Sequence, residues 1–326
     1  MGLVLFLTNQ CNLKCKYCFV SKNKETMSMD TYKKTIKDYK DVTQNVTFFG
    51  GEPLLCFDRI KEIVDYNEKN HIDVSYNLNT NALLLEGEVL DYCLDKGMLL
   101  NVSLDGTKES NLKNRCNEEQ FQRILKNIKE AINRGGKVIV NYVIDPNNIS
   151  SYFDGIQFLV ENGIKKICLM INYDTIWTKK NIQDFKEQND RVIDYLVDKQ
   201  EKIKIYPIDS KIKAIVNKQE VKKCNFGKDN LIVSTNGEYY PCMHFMNREE
   251  YKIHSRKQEM KNTVNISKCI HCSYLPYCSN NCMCKSAKQH KESEVDVNCE
   301  FEKIFIRSAT NYIVHKIDGV LGKKKD

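Results

Sequence analysis

The chain opens on an almost unbroken apolar run at residues 3–7, which reads as a buried strand because a half-exposed strand would alternate with polar positions. A polar loop follows, and residues 29–40 then take up a helical period. Further strand-like runs lie at 46–49, 73–78, 99–104, 138–144 and 164–171, with helix-like stretches at 119–134 and 150–161. Six β-then-α units in about 170 residues predict an α/β fold whose parallel strands form a partial barrel. Loops after the strand ends are then the place for chemistry.

The character changes near residue 200. A long polar helix-like segment at 178–202 follows the only tryptophan, Trp177, and beyond it cysteines reappear. Residues 231–235 and 238–242 flank Asn236-Gly237, a strong hairpin signal. The expected organisation is a barrel domain over 1–200 and a small cysteine-rich domain over 201–326, with a β-hairpin and a C-terminal helix.

Composition narrows the class. With 326 residues and 41% hydrophobic content there is enough apolar surface for a substantial core. No stretch approaches the ~20 apolar residues of a membrane span. The opening LVLFL is too short for a signal-peptide core and has no basic segment before it, so a cytoplasmic protein without a membrane partner is expected. Fifteen cysteines then argue for metal ligation over disulfides. The net charge of +7 includes the tail at 323–325, and elsewhere lysines and acids interleave. It speaks for solubility rather than for a nucleic-acid partner.

The candidate chemistry starts at Cys11, Cys15 and Cys18, a C-x3-C-x2-C spacing in the loop after the first strand. Three thiolates around one [4Fe-4S] cubane leave an iron open for a small molecule. The motif resembles that of the radical S-adenosylmethionine (radical SAM) family. The resemblance implies that the open iron chelates SAM, that reductive cleavage gives a 5′-deoxyadenosyl radical, and that Tyr17 lies beside the adenine. Gly50-Gly51-Glu52-Pro53 at the end of the second strand matches the family's GGE element, in which Gly50, Gly51 and Glu52 hold the SAM amino group. Glycines there are expected to let the backbone approach the ligand. Asn79 ends the third strand, and Ser103-Leu104-Asp105-Gly106 matches the SxDG element. Both are also ordinary turn residues. Arg115 stands where relatives place an arginine for the SAM carboxylate, a task that suits a planar fork.

The second-half cysteines are Cys224, Cys242, Cys269, Cys272, Cys278, Cys282 and Cys299. Their order and spacing, with Gly237 in register, resemble the SPASM extension of radical SAM enzymes, which holds two auxiliary clusters. The resemblance implies three [4Fe-4S] clusters in all. It assigns Cys269, Cys272, Cys278 and Cys299 to an outer cluster and Cys224, Cys242 and Cys282 to an inner one, which stays open unless Cys284 or His244 closes it. A zinc ribbon is the alternative for Cys269 and Cys272, but structural zinc favours four ligands in two close pairs. Cys56, Cys93, Cys116 and Cys168 read as small buried hydrophobes.

Such relatives include sulfatase maturases, thioether- and carbon–carbon-crosslinking peptide maturases, and enzymes of peptide-derived cofactor synthesis. Sulfatase maturases have a further cysteine and a basic aspartate where this chain has Asn230 and Met243. The resemblance therefore implies an anaerobic oxidoreductase of the thioether-forming type (sactipeptide or ranthipeptide), acting on a cysteine-containing precursor peptide and served by a flavodoxin- or ferredoxin-type reductant. Only ten residues precede Cys11, so leader recognition is expected from a separate protein, from the enzyme's own surface, or not at all. A non-catalytic iron–sulfur electron carrier is the contrasting class, and it has no need of GGEP, SLDG or Arg115.

Overall fold

The computed structural model describes residues 1–199, 202–246, 248–254, 267–279, 282–288 and 291–322. The chain runs β1 (Gly2–Thr8), α1 (Met29–Tyr39), β2 (Asn45–Gly50), α2 (Phe57–Lys69), β3 (Ser75–Thr80), α3 (Gly87–Asp95) and β4 (Leu99–Ser103). It continues through α4 (Lys108–Asn114), α5 (Glu118–Asn133), β5 (Lys137–Ile144), α6 (Tyr152–Glu161), β6 (Lys166–Ile171), α7 (Lys179–Asp198), β7 (Lys204–Tyr206) and α8 (Ile208–Val216). The hairpin β8 (Asn230–Val233) and β9 (Tyr239–Tyr240) precedes α9 (Met283–Lys288) and α10 (Val297–Gly322). The fold is α/β with parallel strands, as the alternation of patterns implies.

Two compact units share the chain, and they are interleaved along it. The first comprises Met1–Ser103, Asn111–Ile139 and Asn225–Asn262, the second Leu104–Ser110, Val140–Cys224 and Thr263–Asp326. Within the first, the strands run in the order β9-β8-β1-β2-β3-β4. All seven residues of β1 are buried, because β2 lies parallel on one side and β8 parallel on the other. The hairpin is therefore present as expected, but its first strand extends this sheet, pairing Gly2 with Asn230 and Leu5 with Val233. Helix α1 buries Tyr32, Ile36 and Tyr39, a spacing that gives one apolar stripe, and Ser28 caps it by accepting from the Thr31 amide.

Within the second unit, β6 pairs in parallel with β5 and β7. Its core is aromatic: Tyr152 lies 5.0 Å from Phe185, and Phe301 lies 4.7 Å from Phe185 and 4.9 Å from Trp177, centroid to centroid. Trp177 is fully buried and its indole N–H donates to the Asn172 carbonyl at 2.8 Å. The helix after it starts at Lys179, where Thr178 and Asn181 form a capping box, and ends at Asp198.

Candidate functional site

In the first unit the three-cysteine loop is tied down at both ends. Thr8 and Asn9 donate to Glu25, Met27 N–H donates to Leu7, and the Lys16 amide reaches the Asn114 carbonyl at 2.9 Å. Cys11 and Cys15 are half-buried and Cys18 is exposed. The Leu13 amide points at the Cys11 sulfur, 3.4 Å away, and burial pushes that thiol up. Asn81 bridges to the loop, donating to Asn12 Oδ1 at 2.7 Å with Cys11 Sγ at 3.9 Å.

Gly50 and Gly51 are required here by a close approach within the protein. A Cβ on Gly50 would lie 2.2 Å from the Thr8 carbonyl oxygen, and one on Gly51 would lie 2.1 Å from that of Gln10. Gly50 also has φ +143°. The close approach is thus to the end of β1, immediately before Cys11. The Gly51 and Glu52 amides donate to Thr8 and Gln10, each at 2.8 Å.

Glu52, expected as an acceptor for a ligand, has its carboxylate taken up by protein donors. Oε1 accepts from Thr80 Oγ1 at 2.7 Å and from the Leu54 amide at 3.1 Å, and Oε2 accepts from the Asn81 amide at 2.8 Å. Burial pushes Glu52 up to about 7, against the pull of those three donors and of Arg115. Glu52 therefore braces the end of β3 against the glycine turn. Asn79 pairs with Asn101 in the β3–β4 ladder, and Ser103 ends β4 half-buried.

Arg115, just beyond α4, is nearly buried and donates from Nη1 to the Tyr17 hydroxyl at 2.5 Å. Its Cζ stands 5.8 Å from the Tyr17 ring centroid. Two residues expected at opposite ends of one ligand are brought into direct contact. On the other side of the loop Phe19 meets His244, centroid to centroid 4.8 Å, and His244 lies two residues after Cys242. Phe226 and Phe245 pack edge to face at 5.6 Å, holding the chain near Cys242.

In the second unit Asp105, of the SxDG element, is held by the protein. It is fully buried and accepts from the Val143 amide at 3.1 Å, so it fixes the SLDG turn to β5. The expected outer set does come together: Cys269, Cys272, Cys278 and Cys299 line one pocket with Tyr274, Leu275, Glu302 and Lys303. The Cys272 amide donates to the Cys269 carbonyl at 3.0 Å, and Asp296 accepts from the Cys299 amide at 3.1 Å. Beneath it is a buried ion pair that the sequence does not advertise. Lys211 Nζ lies 2.6 Å from Glu302 Oε2, and the two side chains are 1% and 4% exposed. Burial raises the Glu302 carboxyl, but Lys211, Lys285 and the Ser279 donors outweigh it and hold the group below the usual range.

Cys282 makes hydrogen bonds with Cys224 and Cys284, and these, with Lys285, hold its thiol well below the ordinary value. Of the remaining cysteines, Cys93 is buried as expected, whereas Cys56, Cys116 and Cys168 are partly exposed.

Residues 5–159 match the family model of the Radical SAM superfamily. These residues are a radical SAM domain. The cysteine-type anaerobic sulfatase-maturating enzyme of Clostridium novyi is 26% identical over 325 residues, covering 84% of this chain and 85% of its own. Native anSMEcpe with bound AdoMet and Cp18Cys peptide has a TM-score of 0.79 at 18% identity, over 98% of this chain and 99% of that one. Streptococcus suis SuiB bound to precursor peptide SuiA has a TM-score of 0.66 at 19% identity, over 91% and 75%. The structural likenesses show the fold.

A radical SAM enzyme uses a [4Fe-4S] cluster and SAM, and the residues present fit that pair. Cys11, Cys15 and Cys18 offer thiol donors on one braced loop, with Arg115 and Tyr17 joined beside it. The four-cysteine pocket of the second unit likewise suits a cluster with complete thiolate ligation. Among the described residues no helix is long and apolar enough to cross a membrane.

Proposed function

We propose that this radical SAM enzyme is a peptide maturase that installs a thioether crosslink at cysteine in a ribosomally made precursor peptide. Met243 carries the reading. It packs against the apolar cluster of Val4, Phe6, Ile232 and Tyr240, in the position that resembles the basic aspartate of sulfatase maturases. A carboxylate against that cluster would lose hydration without gaining a partner. Asn230, at the other departing position, begins β8.

In this reading Cys11, Cys15 and Cys18 ligate the SAM cluster, Cys269, Cys272, Cys278 and Cys299 an outer cluster, and Cys224, Cys242 and Cys282 an inner one with an open iron. The SAM cluster would supply the electron that cleaves SAM, and SAM the radical that removes a hydrogen from carbon. The chain's own residues do the positioning: Arg115 clamps the SAM carboxylate while Tyr17 holds its fork, and Glu52 keeps the glycine turn seated on β1. Cys224, Cys242 and Cys282 would hold the inner cluster with one iron open, which would keep the substrate sulfur as thiolate near the carbon to be attacked and would accept the one electron released as the C–S bond forms. Peptide-bound relatives in the same fold support a peptide partner. An acidic flavodoxin- or ferredoxin-type protein supplies electrons, and a separate leader-binding protein or the enzyme's own surface selects the precursor.

The likeness to the C. novyi enzyme favours a second reading, formylglycine formation from a sulfatase cysteine. Product analysis separates the two. A thioether removes two hydrogens, about 2 Da, per crosslink and blocks one thiol from alkylation, since one hydrogen leaves carbon and one proton leaves sulfur. An aldehyde made from cysteine establishes sulfatase maturation, and cysteines that all remain alkylatable point to carbon–carbon crosslinking. Absence of deoxyadenosine with SAM and reductant leaves only the electron carrier.

A further inference from the structure

Cys282-Met283-Cys284 places two thiols at the start of α9. Cys284 is 5% exposed, with its sulfur 3.5 Å from that of Cys282. Cys282 is in turn hydrogen-bonded to Cys224 and receives the Lys285 backbone amide. Three thiols therefore converge within the second unit, although the spacing that resembles a SPASM extension accounts for only two of them. A single buried cysteine behaves as a small hydrophobe, but a group of three with an inward amide donor is a thiolate-binding arrangement. His244, the other side chain named for that place, is packed on Phe19, with ring centroids 4.8 Å apart.

We propose that Cys284 is an iron ligand beside Cys224 and Cys282 in the peptide-free enzyme, and that it is the ligand a peptide thiol displaces. The inference rests on the thioether reading above and adds to it an internal stand-in for the substrate. In the exchange the Cys284 sulfur–iron bond breaks and the incoming sulfur–iron bond forms. The proton of the incoming thiol passes to the Cys284 thiolate, and no electron is gained or lost. Released as a neutral thiol, Cys284 is at home in its buried position. The charge at the site is the same before and after.

The test is a titration of the reconstituted holoenzyme with N-acetyl-L-cysteine amide, followed by electron paramagnetic resonance of the inner cluster. Cys284→Ala removes the internal competitor, so it should bind this thiol at least about tenfold more tightly than wild type, about 1.4 kcal/mol. Equal or weaker binding by the variant overturns the inference while leaving the open-iron reading intact. A spectrum that responds in neither protein overturns both. A Cys282–Cys284 disulfide in the reconstituted enzyme also overturns the displacement.

Discussion

Arg115 Nη1 donates to the Tyr17 hydroxyl at 2.5 Å, so the guanidinium proposed to clamp SAM is oriented by a residue of the cysteine motif itself. Arg115→Lys keeps the charge but loses the fork, and should weaken SAM binding by about 1–3 kcal/mol with iron content unchanged. Tyr17→Phe removes only the orienting hydroxyl and should cost about 0.5–1.5 kcal/mol. Calorimetric titration of SAM checks both, and an unchanged affinity in Arg115→Lys removes the clamp.

Replacing Cys11, Cys15 and Cys18 together with alanine should remove about four irons per chain and abolish deoxyadenosine formation, with the auxiliary clusters retained. Iron and labile-sulfide analysis beside an SAM-cleavage assay tests it. Undiminished deoxyadenosine would reject the motif as the SAM site.

Gly51→Ala puts a Cβ 2.1 Å from a backbone oxygen of Gln10, which cannot rotate away. The loop carrying Cys11 must shift. We expect a loss of about 1–3 kcal/mol of stability and lower iron occupancy at the first site alone.

Glu52 supplies a pH dependence. Its carboxyl is pushed up to about 7, chiefly by burial, from the 4.5 of an ordinary glutamate. The folded state therefore holds a proton that the unfolded state has released, and the stability this gives is full below about 4.5 and lost as pH rises through about 7. The effect is of order 3 kcal/mol. Glu52→Gln cannot titrate, so the stability gap between wild type and variant should change in wild type's favour from pH 7.5 to pH 5, measured by urea unfolding. A gap that stays constant with pH refutes it.

Lys211→Met leaves Glu302 buried without its 2.6 Å partner and should cost about 3–5 kcal/mol. The double variant Lys211→Met/Glu302→Leu should recover part of it, because both charges of that pair are gone while Lys285 and the Ser279 donors lose their acceptor. A double variant as unstable as the single one would show that the pair matters by shape instead.

What the sequence revealed depends on how local each signal is. The run at 3–7 announces β1 because burial on both faces leaves no polar position, and the Cys11–Cys15–Cys18 spacing is contained in one loop. Asn236-Gly237 announces a hairpin for the same reason. The partner of that hairpin was not legible, since a parallel pairing of β8 with β1 leaves no mark on the residues between. Asn81 reaches the cysteine loop from 70 residues away and reads locally as a turn residue. Lys211 and Glu302 look like surface charges until the fold buries them against each other. Helix α3 was hidden because it begins at Gly87 with φ +51°, an unusual start.

The pairing of β1 with β8 also sets an order of assembly. During synthesis the first strand can dock against β2 early, yet its other edge must wait until residues 230–233 have left the ribosome. For that interval a strand whose residues 3–7 are all apolar presents an unpaired ladder of amides and carbonyls, the kind of edge that recruits other chains. A fragment ending at residue 200 would keep this exposure permanently. Such a fragment should aggregate however well its cysteine loop is formed, and the last third of the chain acts as the cover for its first seven residues of strand.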